Sequence, residues 1–258
     1  MNRVPSMSAG VAVFLAATVL ATLGWAVSSP LRAAEAACQV VIGSCHRQPL
    51  SNADGTGIID RVAIEAFRRV GVTACIEQLP CERSLLNADA GVTDGDILRI
   101  PSVVTAKYAN LVVVPEVLYA LPMSGFVSRP NIQARGLDDL AKQRVGYVLG
   151  WKILEEQVRA ADILRVRGPG ELFPLLPEGK ADIVIYERAT GLYLVKELGL
   201  KGIRVLDPPL LVTPQHLMLH RRHQHLVEPL AAAIRAIKAD GSYAAAFRQA
   251  GYQAPATK

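Results

Sequence analysis

Arg99 and Glu187 are the two side chains of this 258-residue chain whose chemistry points to a small ligand. A guanidinium holds a carboxylate or phosphate through two parallel hydrogen bonds, and a carboxylate can face an ammonium. Arg99 lies at the carboxyl end of the apolar run 96–100, and Glu187 directly follows the run 181–186. The competing reading is a surface ion pair: a salt bridge for Arg99, and Arg188 or Lys152 as the partner of Glu187. Trp151, after Gly150, offers an apolar cleft wall or plain packing. Arg83 either reaches the same cleft or solvates its helix, Tyr119 is hinge or ligand wall, and His46 completes the candidate set. His216, His220, His223 and His225 fall within ten residues, but no Cys or carboxylate has matching metal-ligand spacing. They read as a hydrophilic strand end and turn rather than a metal site. No Gly-x-Ser-x-Gly elbow, Walker loop or His-Glu-x-x-His occurs, so neither catalysis nor a cofactor is expected.

Alternating elements must position these residues. Ile59, Val62, Ala63, Ala66, Phe67 and Val70 recur at helical spacing and stop at Gly71. Strands are expected over 39–43, 72–79, 96–100, 111–114, 144–149, 163–166, 181–186 and 203–206. Further helices are expected over 82–90, 137–143, 152–161 and 188–198, with a helical turn at 171–176. A last helix carries Leu226, Leu230, Ala233, Ile234 and Ile237 on one face. Two β-α-β-α-β blocks, 39–100 and 144–206, argue for parallel sheets. Residues 115–128 and 207–220 read as mixed, Pro-rich crossing connections. The expected architecture is α/β: two lobes joined by two crossing strands, with the C-terminal helices returning to the first lobe. Lobe 1 comprises 37–121 with 213–258, and lobe 2 comprises 122–212. A ligand belongs between them, near the carboxyl ends of the strands.

The amino terminus reads as an export signal. Arg3 gives a positive start, residues 9–27 carry no charge, and Ala34-Glu35-Ala36 offers a cleavage site. An uncleaved anchor is the alternative. The formal charge of +5 falls to +4 on loss of Arg3, Arg32 and Glu35, and no Lys/Arg block suits nucleic acid. Cys38, Cys45, Cys75 and Cys81 all remain after cleavage. Their even number suits two disulfides in an oxidising compartment, and their spacing matches no zinc pattern. Four cysteines allow three pairings. A strand between Cys38 and Cys45 holds them too far apart to bridge, and the same holds for Cys75 and Cys81. Parallel neighbouring segments would set Cys38 against Cys75 and Cys45 against Cys81.

Several segments, in order, resemble the bacterial extracellular solute-binding proteins of family 3, the periplasmic receptors of polar amino acid ABC transporters. They are Gly57-Ile58-Ile59-Asp60 with its helix, Asp94-Gly95-Asp96, Gly136-Leu137-Asp138-Asp139-Leu140, Arg144-Val145-Gly146-Tyr147, Gly179-Lys180-Ala181-Asp182 and Asp240-Gly241-Ser242-Tyr243. The resemblance implies a monomeric type II periplasmic-binding fold that passes a small solute to a membrane permease. It also implies that Arg99 stands near the carboxylate-binding Arg, without the preceding Thr, and Glu187 where the family has an ammonium-binding Asp. The loop from Cys45 to Leu50 lacks the family's aromatic residues. Two alternatives share the fold: a sensory module acting in trans, and a lyase similar to cyclohexadienyl dehydratases with Glu187 or Glu82 as acid.

Overall fold

A computed structural model describes residues 38–255; the stretch read as an export signal, with its expected cleavage site, lies outside them. The first expected block forms as read. Strands β1 (Val40–Ser44), β2 (Ala74–Gln78) and β3 (Gly95–Arg99) are parallel in the order β2-β1-β3. They are linked by α1 (Ile58–Arg69) and α2 (Cys81–Asp89). In α1 the apolar face is buried, and Gly71, at φ +78°, ends the helix in a conformation that costs glycine little. Asp60 is buried at the start of α1. Its carboxylate accepts from the Ser51 hydroxyl and the backbone N–H groups of Asn52 and Gly57, so the charge has donors.

The second block forms in part. Strands β6 (Arg144–Val148), β7 (Asp162–Val166) and β8 (Ile183–Glu187) are parallel in the order β7-β6-β8. The expected fourth strand is only Arg204–Val205, β9. It pairs antiparallel with β5 (Tyr119–Val127) instead of extending the parallel set. The helix expected over 152–161 stops at Gln157 as α4 (Lys152–Gln157), and 137–140 is a single 3₁₀ turn. The helical turn near 171 is α5 (Pro169–Leu172) continued by a 3₁₀ turn, and α6 (Arg188–Glu197) follows β8 directly.

The helices α3 (Pro101–Thr105) and α8 (Ser242–Gln249) had no bounds in the sequence reading, while the ten-residue strand β10 (Leu211–His220) occupies the second expected crossing stretch. The stretches read as connections are antiparallel strands. Leu211–Gln215 of β10 pairs with β5, and the rest pairs with β3 and with β4 (Leu111–Val113). β5 also pairs with β8. The path through the sheet is β2-β1-β3-β10-β5-β8-β6-β7, with the antiparallel β10-β5 pair between two parallel triads. The last long helix, α7 (Val227–Ala239), buries Leu230, Ala233, Ile234 and Ile237 and packs on α1 and α8. No helix among the described residues is long and apolar enough to cross a membrane.

Cys38 is bonded to Cys75 and Cys45 to Cys81, the pairing expected from parallel neighbours. The register explains it: Val40 faces Ala74 and Ser44 faces Gln78, so one bridge closes each end of the β1-β2 pair. Each bridge spans 36 or 37 residues. In the chain-entropy account such a loop contributes on the order of 3–4 kcal/mol. Reduction of even one bridge by dithiothreitol should therefore lower Tm by at least about 6 °C, since 1 kcal/mol moves a domain of this size by roughly 2–4 °C. An unchanged Tm in a thermal melt would show that the bridges do not restrain the unfolded chain.

Candidate functional site

A cleft of about 1100 Å³ opens where the two parallel triads meet. Its lining follows from the topology, because residues at or just past the carboxyl ends of all six parallel strands reach it. Cys45, His46 and Arg47 follow β1, Leu79 to Cys81 follow β2, and Arg99 ends β3. On the other side Trp151 follows β6, Arg167 follows β7 and Glu187 ends β8. Helices joining parallel strands cover the sheet faces, so the crevice is left at the strand ends. The central pair adds Leu121 and Met123 from β5 and Thr213 and Gln215 from β10.

Arg99 is held in place. Its Nε donates to Asp96 Oδ1 at 2.5 Å and its Nη2 to the Cys81 carbonyl at 3.4 Å. Nη1 has no hydrogen-bond partner among the described residues. Asp96 also accepts from the Ser84 hydroxyl. Burial pushes the Asp96 carboxyl up, opposed by Arg99 and Ser84. The preceding Leu98 takes φ +59°, in the left-handed region that non-glycine residues avoid. It sits in a bulge where Ile97 and Leu98 oppose Leu217 alone. A strained residue beside an arginine in a cleft is the pattern in which surrounding structure enforces a side-chain pose.

His46 lies against Leu98, with Nε2 at 3.3 Å from its carbonyl oxygen. Burial and then the Arg99 charge push the imidazole down to about 4, despite the opposing carbonyl. It is therefore neutral at pH 7. A carbonyl only accepts, so Nε2 carries the proton and Nδ1 is left as an acceptor.

Glu187 lines the opposite wall, and Arg188 turns away from it to the Leu206 carbonyl and Asp207. The Glu187 side chain caps α6, accepting from Ala189 N at 2.9 Å and Thr190 N at 2.7 Å, and from the Tyr119 hydroxyl at 2.7 Å. Burial, then the Glu187 charge, raises the Tyr119 hydroxyl well above its ordinary range, so it remains a donor. Trp151 packs at a tilt against Tyr186, ring centroids 4.9 Å apart, and Phe173 meets Tyr186 edge-on at 5.7 Å. The aromatic surface thus comes from the second triad.

The structure brings together Arg99, Glu187, Trp151 and His46. It does not bring in Arg83, which is exposed on α2 outside the cleft lining, because that helix turns the residue to solvent. Tyr119 is also outside. It is buried against Phe247 and reaches the cleft only through its bond to Glu187. Glu82, offered as an acid, is exposed outside the cleft, bonded to Lys107 Nζ at 2.6 Å and the Tyr108 hydroxyl at 3.0 Å. Those bonds lower its carboxyl, the reverse of what a general acid needs.

The four histidines are dispersed. His216 Nδ1 meets the Val114 carbonyl, His220 accepts from the Arg222 backbone, and His223 pairs with Asp94. Among the described residues no three His, Cys, Asp or Glu side chains are placed to hold a metal.

Sequence reasoning missed Arg47, Arg167, Thr190, Thr213 and Gln215. Thr213 and Gln215 are each 5% exposed, and Gln215 Nε2 donates to Thr213 Oγ1 at 3.0 Å. Polar residues at alternate positions of an otherwise apolar run were the available signal for these two. For Arg47 and Arg167 it was their place just past a strand end.

No family model matches the sequence, and a search of curated proteins finds no match. Solved structures do match. The ligand-binding core of GluR0 in complex with L-glutamate superposes with a TM-score of 0.68 at 13% identity, covering 83% of this chain and 98% of that one. This chain shares its fold. A histidine kinase sensor domain with similarity to periplasmic binding proteins gives a TM-score of 0.64 at 16% identity, with 84% and 97% covered. An amino acid ABC transporter substrate-binding protein from Streptococcus pneumoniae, bound to L-arginine, gives 0.61 at 15% identity, with 82% and 93% covered.

Proposed function

We propose that this chain is an exported solute-binding protein. It captures a small polar or anionic solute, amino acid-like or an organic acid, and delivers it to an ABC-type transporter. The observation that carries this reading is the cleft itself, with Arg99 on one wall and Glu187 on the other. Residues 1–36 are the signal peptide, and periplasmic release follows from its removal. Residues 37–121 with 213–258 form one lobe and 122–212 the other. β5 and β10 are the hinge, since they alone lie between the parallel triads in the sheet path. Closure about such strands desolvates the ligand's polar contacts and creates the face a permease reads.

Arg99 holds an acidic group through its free Nη1 edge. His46 and Trp151 flank the ligand, and Glu187, Thr190, Thr213 and Gln215 form a polar floor. The fold is shared with proteins whose names record transport of amino acids, and the cleft occupies the place where open α/β sheets bind ligands. The test is a thermal-shift screen of the purified protein against amino acids, organic acids, polyamines, sugars and anions. A true ligand at 100 times its Kd adds about 2.7 kcal/mol, a shift of several degrees. The expected result is one hit class, recovered chemically unchanged and lost in Arg99→Ala. Arg99→Lys, which keeps the charge without the fork, should retain only part of the affinity. Turnover of the hit would replace the receptor by an enzyme, and an empty screen would end the solute-binding reading.

A further inference from the structure

Three arginines line the cleft, and their donors are unequally used. Arg99 spends Nε on Asp96 and Nη2 on a carbonyl. Arg47 and Arg167 are exposed, and neither side chain makes a hydrogen bond or ion pair among the described residues. Two carboxylates face the same space. Glu187 is already met by three donors, and Glu156, exposed on α4, makes no hydrogen bond or ion pair among the described residues. Free guanidinium donors therefore exceed free carboxylate acceptors.

Their placement adds a constraint. Arg47 follows β1 in one triad and Arg167 follows β7 in the other. The Arg47 charge works against the upward push that burial gives the Tyr186 hydroxyl, so its guanidinium lies within electrostatic reach of the opposite wall. Bringing the walls together brings two like charges together, which opposes closure. An anion between them turns one repulsion into two attractions.

We propose that the ligand has a net negative charge and at least two acidic groups, one held by Arg99 and the other lying between Arg47 and Arg167. The proposal rests on the solute-receptor reading above and narrows its substrate class. The half-buried Trp151 ring and the apolar side chains of Leu121 and Met123, all lining the cleft, suit a short carbon skeleton between the two acids. A cationic amino acid would meet two unpaired guanidiniums and be repelled.

The test is calorimetric titration of the purified protein with succinate, glutarate and L-glutamate, against acetate, L-glutamine and L-arginine, at low and high salt. At least one of the three probes with two carboxylates should bind about tenfold or more tighter than acetate, and weaken steeply with salt. Arg47→Ala and Arg167→Ala should each weaken that probe about tenfold or more, without changing the ligand-free Tm, because both side chains are exposed. Tighter binding of L-arginine or L-glutamine than of any dianion overturns the proposal and leaves the receptor reading standing. Dianion binding that neither variant weakens also overturns it. If no probe binds and the broad thermal screen is also empty, the receptor reading falls and this proposal with it.

Discussion

Replacing Glu187 by alanine is expected to lower Tm by roughly 5–15 °C even without ligand. The carboxylate caps α6 through two backbone N–H groups and accepts the Tyr119 hydroxyl, and it is only 4% exposed. Loss of a helix N-cap costs about 0.5–2 kcal/mol. Leaving the buried Tyr119 hydroxyl without an acceptor adds about 1–3 kcal/mol. The sum of roughly 1.5–5 kcal/mol corresponds to that melting shift at about 3 °C per kcal/mol for a domain of this size. Tyr119→Phe removes the donor and leaves the cap, so its cost should be the smaller. If Glu187→Ala melts as the parent protein does, then α6 does not depend on this cap, and Glu187 is free to serve a ligand alone.

The second expected result is a loss of stability in mild acid that belongs to His46. Its imidazole is pushed down to about 4 in the folded protein, against an ordinary value near 6.5. The folded pKa is the lower one. As pH falls below about 6.5 the unfolded chain takes up a proton that the folded chain refuses. Stability is therefore full above that pH and declines until the folded group also titrates near 4. The displacement corresponds to about 3 kcal/mol. Asp96 acts in the opposite sense: its raised carboxyl costs stability at high pH and relieves that cost as pH falls. The comparison that isolates His46 is the parent protein against His46→Gln, melted from pH 7 to 4. The parent should lose stability faster by about that amount. Parallel curves would show that His46 keeps a near-ordinary pKa, and that the cleft wall between Leu98 and Arg99 is wetter than its packing indicates.

Both results depend on neighbours that lie far away in the chain. Glu187 meets Tyr119 across 68 residues, and His46 meets Leu98 across 52. The amino-acid pattern nevertheless marked both residues, because each sits at the end of an apolar β-rich run. It did not say what either would bond. An isolated carboxylate after a strand has the same local signature whether it caps a helix, pairs with a neighbour or faces a ligand.

By itself the sequence determined the α/β class, the two parallel triads, the faces of α1 and α7, and the two disulfides. Each is encoded locally: helical periodicity selects a buried face, short β-rich runs select strands, and the cysteine spacing suits two adjacent parallel strands. The cleft position followed from the same alternation. Tertiary structure decided the rest. β10 reads only as a Pro-rich crossing strand without bounds or partners, since its local run resembles an irregular segment. It becomes a strand because β3, β4 and β5 offer antiparallel partners on its two edges. That pairing buries Thr213 and Gln215 in the cleft and creates the bulge at Leu98 beside Arg99. The placement of Arg47 and Arg167 in the cleft lining, and the exclusion of Arg83 and Tyr119, are also set by non-local pairing. The physical reason is that a residue's periodicity reports which face it occupies, whereas its neighbours are chosen by strand register and helix packing between segments distant in sequence.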